Sequence, residues 1–365
     1  MVTIIGAGPI GCYTAYLLAK AGKHVEIFEE HYDVGKPVQC AGLVTAKILD
    51  IIDFPINEVI INRIKKAKII SANKEFVLQF KRPDIVLDRE KFDKLIAKKA
   101  VEAGAKLYGG HKFLSLAKKD EKIILKIKNL RKKRIEHAET DILIGADGPL
   151  SRVAAYLNKK RKRQTIYAAQ ARVKMPVEQN TFKVRLNCPK KTKLFTWIVP
   201  ESSSVARIGL EAKVGAVLKL KKFLHGLKYK ILEYQGGLIP LYSKIKVHDD
   251  KIYLVGDAAC QIKESTGGGI VPGLQAAKCL ARAILEGKNY VRELKTLNKE
   301  LTLHLKIRKA LNKFSDSDFD MLLELLNKPK VKRILESFSR DGYRKKMVRL
   351  VLAQKKLLLF ARKFF

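Results

Sequence analysis

Residues 2–11 read VTIIGAGPIG, a short apolar run that leads directly into three glycines with the spacing GxGxxG. Residues 12–21 have the composition of a helix, and residues 24–28 alternate like a strand that ends at Glu29. A strand, a glycine turn, a helix and a second strand in this order predict the opening βαβ unit of a doubly wound sheet.

Each of the three positions in the turn requires glycine for a different physical reason. Gly6 permits the tight turn, Gly8 lets the backbone approach a pyrophosphate, and Gly11 lets helix and strand pack closely. The pyrophosphate then meets the free N–H groups at the helix N-terminus. Glu29 stands at the end of the second strand, where an acid binds the ribose hydroxyls. The stretch therefore predicts dinucleotide binding.

Two later strands favour FAD over NAD. Residues 142–148 (ILIGADG) and 252–259 (IYLVGDAA) are buried-type strands that end in Asp147 and Asp257. A carboxylate at the carboxyl end of such a strand can hold a ribityl hydroxyl. Residues 267–270 (GGGI) then open a helix whose positive end would stabilise the negative charge of a reduced flavin.

Between these elements the chain is rich in strands, and from Tyr290 onward its pattern is helical. We expect an α/β protein with a discontinuous Rossmann-like FAD-binding domain, an inserted antiparallel-sheet substrate domain and a C-terminal helical region. The expected boundaries are 1–54, 84–155 and 247–290 for the FAD-binding domain, 55–83 and 156–246 for the β-rich domain, and 291–365 for the helical region.

Composition narrows the class of protein. The 365 residues carry 74 Lys and Arg against 36 Asp and Glu, a net charge of +38, and 47% of them are hydrophobic, which excludes a disordered polycation. The charge favours an anionic partner or a lysine-rich solvated surface, and both remain open. Five cysteines without a CxxC pair predict neither a disulfide framework nor a zinc site. With no long apolar span and a strand that begins at residue 2, we expect a cytoplasmic protein.

Four further segments carry a resemblance to a known family. They are GKPVQCAG at 35–42, LDREKFD at 87–93, FTWIVP at 195–200 and GGLIP at 236–240. The chain resembles the geranylgeranyl reductase family, in its archaeal branch that saturates isoprenoid chains of membrane lipids, within the FAD-dependent reductase and hydroxylase superfamily. The similarity runs from residue 2 to about residue 287. Two positions depart from the family's Y-x-W-x-F-P motif, namely Phe195 and Val199.

The resemblance implies roles for individual residues. It places Cys40 against the flavin, and Trp197 and Phe195 on the wall of an apolar substrate tunnel, so these three are the candidate catalytic residues. For Cys40, a chemical or positioning role and simple packing both remain open, and for Trp197 the alternative to a tunnel wall is a strand aromatic packed in the core. Motifs and resemblance together give these candidate FAD contacts: Gly6, Gly8, Gly11, Glu29, Cys40, Ala41, Gly42, Arg89, Phe113, Asp147, Gly148, Asp257, Gly267, Gly268, Gly269 and Ile270.

The implied activity is FAD-dependent reduction of carbon–carbon double bonds in the geranylgeranyl chains of archaeal-type lipids. The alternative is an FAD-dependent monooxygenase of the aromatic-hydroxylase type, which has the same fold and FAD motifs. No nucleic-acid-binding motif is present, and we expect no nucleic acid partner. The partners expected are a prenyl lipid and an electron donor that the sequence leaves open among NAD(P)H, ferredoxin and other reductants.

Basic segments raise the question of a membrane contact. Residues 343–365 predict an amphipathic helix with a lysine-rich polar face, which would lie on the inner face of the cell membrane or pack on the protein itself. The basic runs at 131–134 and 159–163 are either solvated loops or contacts for anionic headgroups.

Overall fold

The computed structural model describes residues 1–160, 163–187, 195–227, 229–337 and 349–363. The described contacts divide the chain into two compact units, each made of three segments. The first unit comprises 1–37, 89–165 and 240–301, and the second comprises 38–88, 166–239 and 302–365.

The described elements up to residue 254 are mostly strands, and those from residue 270 onward are helices. The strands are β1 Val2–Ile5, β2 Val25–Phe28, β3 Leu43–Val44, β4 Ile60–Ile70, β5 Glu75–Leu87, β6 Lys106–Tyr108, β7 His111–Lys119, β8 Lys122–Asn129, β9 Arg134–Thr140, β10 Ile142–Gly145, β11 Thr165–Lys174, β12 Thr181–Leu186, β13 Phe195–Pro200, β14 Val205–Ala212, β15 Lys230–Pro240, β16 His248–Asp249 and β17 Ile252–Leu254. The helices are α1 Pro9–Lys20, α2 Ile48–Ile51, α3 Arg89–Glu102, α4 Arg152–Leu157, α5 Ala216–His225, α6 Ile270–Glu286, α7 Tyr290–Glu293, α8 Lys295–Leu311, α9 Asp316–Leu326 and α10 Pro329–Glu336.

The first unit is built on a six-stranded sheet in the order β16-β17-β10-β1-β2-β6. Strands β17, β10, β1, β2 and β6 are parallel, and only the short β16 runs antiparallel. Ile5 at the end of β1 stands opposite Phe28 and Gly145, so neighbouring strands end at the same level. The predicted βαβ opening is confirmed, and the carboxyl ends of β1, β2 and β10 share one edge.

Two layers cover this sheet. Helix α1 packs against α3 and α6. The meander β7-β8-β9 contributes Phe113, Leu125 and Ile127 to a buried cluster with Ile5 and Leu143 of the sheet. Strand β8 buries alternate side chains, as its apolar and basic alternation predicts.

The second unit is built on an eight-stranded sheet in the order β15-β11-β14-β13-β12-β4-β5-β3. One face of β11 and β14 packs against Leu220 and Leu224 of α5. Trp197 belongs to a different cluster, with Phe182 and Val199. The predicted β-rich insert is thus a single mixed sheet, since β12 and β4 pair in parallel while the other assigned pairs are antiparallel.

The division into units differs from the predicted boundaries. Residues 38–54, expected in the FAD-binding domain, lie in the second unit because Leu43 and Val44 pair with β5. The expected separate helical region 291–365 is divided, and residues 302–365 belong to the second unit. The cause is long-range pairing, which local pattern does not report.

The predicted C-terminal amphipathic helix is not continuous in the described part of its range. Residues 343–348 and 364–365 lie outside the described residues. The helical segment ends at Ala353, and Lys355–Lys363 form a 3-10 helix. Phe360 is buried and stacks on Phe314, with ring centroids 4.8 Å apart. Among the described helices, none is both long enough and apolar enough to cross a bilayer.

Candidate functional site

The glycine turn after β1 leaves one side open. A Cβ on Gly6, where φ is +102°, would lie 2.5 Å from the Ala146 carbonyl oxygen. A Cβ on Gly11 would lie 2.1 Å from the Gly6 carbonyl oxygen. A Cβ on Gly8 would meet no atom within 4 Å. Packing inside the protein therefore requires the first and third glycines, whereas the second faces the space that a pyrophosphate would occupy.

Glu29 is fixed beside this turn at the end of β2. Its Oε2 accepts a hydrogen bond of 2.7 Å from the Ala7 N–H, and its Oε1 accepts one of 2.9 Å from the His31 N–H. The Nδ1 of His31 lies 2.6 Å from the same Oε1. A carboxylate has about four acceptor sites, so this oriented group can still accept a hydrogen bond from a ribose hydroxyl.

Asp147 follows β10 at the same edge. Its Oδ2 accepts a hydrogen bond of 2.8 Å from the Arg152 N–H at the start of α4. Its Oδ1 is buried and has no hydrogen-bond partner among the described residues. Burial raises the pKa of this carboxyl above its ordinary value, while Ser151 acts in the opposite direction. A buried oxygen without a protein partner fits a bound hydroxyl, since native structures rarely leave such atoms unsatisfied.

Asp257 follows β17 in a short 3-10 turn, and its residue as a whole is half-buried. Burial raises its pKa to about 6, against the opposing charges of Arg89 and Arg163. A Cβ on Gly269 would lie 2.9 Å from the Asp257 Oδ1, which places the carboxylate at the first turn of α6. Because the N–H groups of a first turn have no intrahelical partner, this end of α6 favours negative charge.

The glycines before α6 form a tight turn. Gly267 has φ +68°, and the Gly268 carbonyl accepts a hydrogen bond of 3.0 Å from the Lys263 N–H. Ile270 is the first residue of α6, and Pro272 lies in its first turn. Gly148, which follows Asp147, also has a left-handed φ of +72°, and a Cβ there would meet no atom within 4 Å.

Arg89 begins α3 and forms a bidentate pair with Asp93, with Nε–Oδ1 at 3.2 Å and Nη2–Oδ2 at 3.0 Å. Burial raises the pKa of Asp93 above its ordinary value, and the charge of Arg89 offsets only part of this rise. The guanidinium is thereby oriented while its charge also acts on Asp257. Phe113, another predicted contact, has its side chain in the core between the sheet and the meander.

Arg163 does not behave as part of an exposed basic run. Its guanidinium donates to the carbonyls of Ser151 at 3.0 Å and Ala258 at 3.2 Å, one residue from Asp257. Residues 161 and 162 lie outside the described residues. The sequence pattern of consecutive cations concealed this contact, because only the tertiary structure brings the two carbonyls to one place.

The loop that contains Cys40, Ala41 and Gly42 belongs to the second unit, and Arg207 binds it through hydrogen bonds. The Arg207 Nη1 donates to the Ala41 carbonyl at 2.8 Å and to the Leu87 carbonyl at 3.2 Å. A Cβ on Gly42, where φ is +68°, would lie 2.5 Å from the Leu87 carbonyl oxygen. The half-buried Cys40 Sγ accepts a hydrogen bond of 3.3 Å from the Gly42 N–H.

Glu201 completes this support, and neither it nor Arg207 was predicted from sequence. The Arg207 Nε donates to Glu201 at 2.6 Å, and Arg172 binds the same carboxylate through two nitrogens. Burial raises the pKa of Glu201, but hydrogen bonding from Arg172 and the charge of Arg207 outweigh it and lower the pKa overall. Arg207 lies inside the buried run of β14, and a charged residue in a mostly apolar strand was the signal from which a buried ion pair could have been predicted.

Trp197 lies flat over a glycine on the second sheet. A Cβ on Gly209 would lie 2.3 Å from Cζ2 and 2.4 Å from Cε2 of the indole. The indole Nε1 donates to Gln170 Oε1 at 3.3 Å, and Gln170 Nε2 donates to Gln235 Oε1 at 2.5 Å. The glycine admits the ring, and the two glutamines orient it.

Phe195 lies beside Trp197, with ring centroids 6.1 Å apart. The Arg308 guanidinium lies 5.6 Å from the Phe195 centroid and forms an ion pair with Glu211, whose side chain is buried. Burial raises the pKa of Glu211 above its ordinary value, and the charge of Arg308 offsets only part of this rise. The ring that replaces the motif tyrosine thus contacts a cation through its face.

The predicted site residues divide between the two units. The glycine turn, Glu29, Asp147, Arg89 and Asp257 belong to the first unit, where three strand ends and α6 bring the acids to one edge. The candidate catalytic residues, namely Cys40, Trp197 and Phe195, belong to the second unit. Their contact with a flavin stays a prediction.

Comparison with known proteins bears on the predicted cofactor, and the matched range includes residues of both units. Residues 1–213 match the model of a family described as FAD binding domain. The digeranylgeranylglycerophospholipid reductase of Methanocaldococcus jannaschii is 30% identical over 98% of this chain and 96% of its own length. The chain belongs to this reductase family.

Other members and structures agree. Digeranylgeranylglycerophospholipid reductase 3 of Methanosphaera stadtmanae is 27% identical over 89% of this chain and 90% of its own. A geranylgeranyl bacteriochlorophyll reductase-like crystal structure from Thermoplasma acidophilum matches with a TM-score of 0.83 and 22% identity, covering 100% of this chain and 98% of that one. That structural match shows the FAD-binding fold.

Membership in the family decides the cofactor and the class of enzyme. FAD is the cofactor, and the protein is a flavin-dependent oxidoreductase. The residues present fit FAD, because the edge of the first sheet offers an open glycine turn, an oriented carboxylate at Glu29 and an unsatisfied oxygen at Asp147.

Proposed function

We propose that this protein uses FAD to reduce carbon–carbon double bonds in the geranylgeranyl chains of isoprenoid lipids. The observation that carries the proposal is the match over nearly the whole of both chains to a digeranylgeranylglycerophospholipid reductase. The same comparison favours this activity over the monooxygenase alternative, whose support is limited to a shared fold.

The first unit would hold the cofactor through groups already oriented by the protein. Gly8 and the N-terminus of α1 would take the pyrophosphate, Glu29 the ribose hydroxyls, and Asp147 and Asp257 further polar groups of FAD. FAD supplies hydride-transfer chemistry when bound. The positive end of α6 would stabilise negative charge that develops on the ring during the reaction.

The second unit would supply the apolar wall. Around Trp197 the sheet carries Phe182, Val184 and Val199, which are buried or half-buried. An isolated alkene has no carbonyl that the protein could polarise, so rate enhancement must come from alignment and from exclusion of water. The glutamine chain from Gln235 to Trp197 would keep one aromatic wall at a defined angle.

Cys40 would be a positioning or reactive group on a supported loop. Arg207 ties the loop to β14 through the Ala41 carbonyl, and Glu201 in turn orients Arg207. This support restricts where the thiol can point. We propose that the loop lies against the flavin, as the family resemblance implies.

The substrate's solubility bears on where the protein works. A geranylgeranyl chain partitions into membranes, so we propose that the enzyme draws its substrate from the cytoplasmic leaflet, with anionic headgroups as the electrostatic partner. NAD(P)H, ferredoxin or another reductant would supply the electrons.

A direct assay tests the proposal. FAD-loaded protein is reduced chemically under anaerobic conditions and incubated with geranylgeranyl glycerophospholipids, and the lipids are analysed by mass spectrometry. Stepwise gains of two hydrogens per double bond are expected. A parallel reaction with NAD(P)H and oxygen tests the monooxygenase. Insertion of oxygen into the lipid, or an unchanged lipid mass in the anaerobic reaction, would overturn the proposal.

A further inference from the structure

Helix α5, the turn before it and strand β15 of the second unit expose several large apolar side chains. Val214 is 74% exposed and Leu218 is 67% exposed, and Val217, Leu232 and Tyr234 are also exposed. These five residues are called the α5–β15 surface below. Contiguous exposed apolar surface on a folded protein marks a site of interaction.

The helix and the strand present these side chains on one side of the sheet. Leu220 and Leu224 pack α5 onto the sheet, which leaves Val217 and Leu218 on its outer side. The Nζ of Lys221 lies 5.6 Å from the centre of the Tyr234 ring, so Tyr234 faces α5. Gln235, the next residue, turns to the opposite face and bonds Gln170, as the alternation of a strand requires.

Lysines dominate the charge of this region, and Glu233, which lies between Leu232 and Tyr234, forms an ion pair with Arg172. Residues 212–232 contain six lysines and no acidic residue. Lys213, Lys221, Lys222 and Lys230 are exposed, and within the described ranges none of these four takes part in an ion pair. Cations therefore surround the apolar side chains without being neutralised by the protein.

We propose that the α5–β15 surface is the site at which the protein docks on an anionic lipid bilayer. The inference rests on the proposed function, which requires a lipid substrate. Long lysine side chains can extend their ammonium groups to the headgroups while valine and leucine enter the acyl boundary. Tyr234 has the amphipathic ring that is enriched at this depth.

Charge complementarity selects the bilayer over a second copy of this chain. A symmetric dimer through the same surface would bring the lysines of both copies together, and like charges in an interface are repulsive. The cytoplasmic leaflet carries the opposite sign. Each lysine near such a surface changes partitioning by about fivefold.

Sequence alone allowed the C-terminal segment either to contact a membrane or to pack on the protein, and two side chains of its described part pack on the protein. Phe360 stacks on Phe314, and the Lys363 Nζ donates to Asp318 at 2.6 Å. Phe360 and Lys363 are therefore used in packing, whereas Leu352, Leu358 and Leu359 of the same segment stay exposed. The α5–β15 surface offers both apolar and cationic groups to an outside partner.

Vesicle sedimentation of the FAD-loaded protein tests the proposal. The probes are vesicles of phosphatidylcholine alone and vesicles of equal parts phosphatidylcholine and phosphatidylglycerol, without any prenyl lipid. We expect binding to the anionic vesicles, weakened by salt. Lys221→Gln with Lys222→Gln should weaken it roughly 25-fold. Val217→Ser with Leu218→Ser should weaken binding while the charge stays constant.

Matched controls separate the surface from net charge. Lys23→Gln with Lys119→Gln removes the same charge from exposed positions of the first unit and should leave binding almost unchanged. Equal losses in both lysine pairs would show that net charge alone binds vesicles. Unchanged vesicle binding by the variant Val217→Ser with Leu218→Ser would also overturn the proposal. So would a change of oligomeric state in this variant, relative to the wild type, measured without vesicles. Because no substrate is present, these outcomes are independent of the reductase assay.

Discussion

Replacing Gly209 with alanine is expected to displace the Trp197 indole from the second sheet. The new Cβ would lie 2.3 Å from the indole Cζ2 and 2.7 Å from the Gln170 Cβ. Carbon atoms prefer a separation of about 3.5 Å or more, so the ring must move by more than about 1 Å.

The cost follows from the contacts that the indole makes. Overpacking of a closely packed site costs about 1–3 kcal/mol. The indole Nε1 is 3.3 Å from Gln170 Oε1, so the same movement breaks that hydrogen bond and costs about 1 kcal/mol more. The expected loss in the free energy of unfolding is about 2–4 kcal/mol.

The chain contains one tryptophan, so its fluorescence reports on this position alone. Urea denaturation of flavin-free protein measures the free energy of unfolding, and the emission maximum of the native state should shift to longer wavelength as the indole leaves its site. Turnover of the lipid should fall as well, because the aromatic wall changes its angle.

Gly226→Ala is the matched control. Gly226 has φ −73°, which alanine adopts readily, and a Cβ there meets nothing within 4 Å. We expect an unchanged emission spectrum and a stability within about 1 kcal/mol of the wild type. If Gly209→Ala behaves like this control, the indole does not depend on the glycine and the reasoning is wrong.

Three further changes probe the cofactor edge and the Cys40 loop. Gly11→Ala brings a Cβ within 2.1 Å of the Gly6 carbonyl, so flavin binding measured by absorbance should weaken about 10- to 100-fold; full flavin content would contradict this. Burial raises the pKa of Asp257 to about 6 from 3.8, so the folded state binds the extra proton and loses stability as pH rises from about 4 to 6. The free energy of unfolding of flavin-free Asp257→Asn should therefore exceed that of the wild type by up to about 3 kcal/mol above pH 6 and equal it below pH 4. The same variant should retain FAD poorly. A difference in the free energy of unfolding that does not depend on pH would refute the assignment. Cys40→Ser should keep the flavin and change turnover or the degree of saturation, and an identical rate and product pattern would mean that the thiol only packs.

Local sequence was sufficient for the nucleotide turn. Gly6 and Gly11 act on atoms within six residues of themselves or on the adjacent strand, and a strand, turn and helix have few geometries. Asp147 and Asp257 could be placed at one edge because both follow buried strands, and parallel strands end at the same side of a sheet.

Support of the Cys40 loop could not be predicted from sequence. The Arg207 guanidinium and the Ala41 carbonyl are separated by 166 positions along the chain. Nothing local to either residue specifies the partner, because the contact depends on the order of strands in the second sheet. The same holds for Gly209, whose absent side chain matters only because Trp197 lies on the neighbouring strand.

The sequence by itself determined that this protein opens with a βαβ nucleotide turn, binds FAD, and carries apolar faces flanked by lysines. Only the tertiary structure decided which apolar faces are covered. Phe360 in the C-terminal segment is buried against Phe314, whereas Val217 and Leu218 on α5 stay exposed. The physical reason is that an amphipathic pattern requires an apolar partner but does not specify whether the partner is the same chain or a membrane.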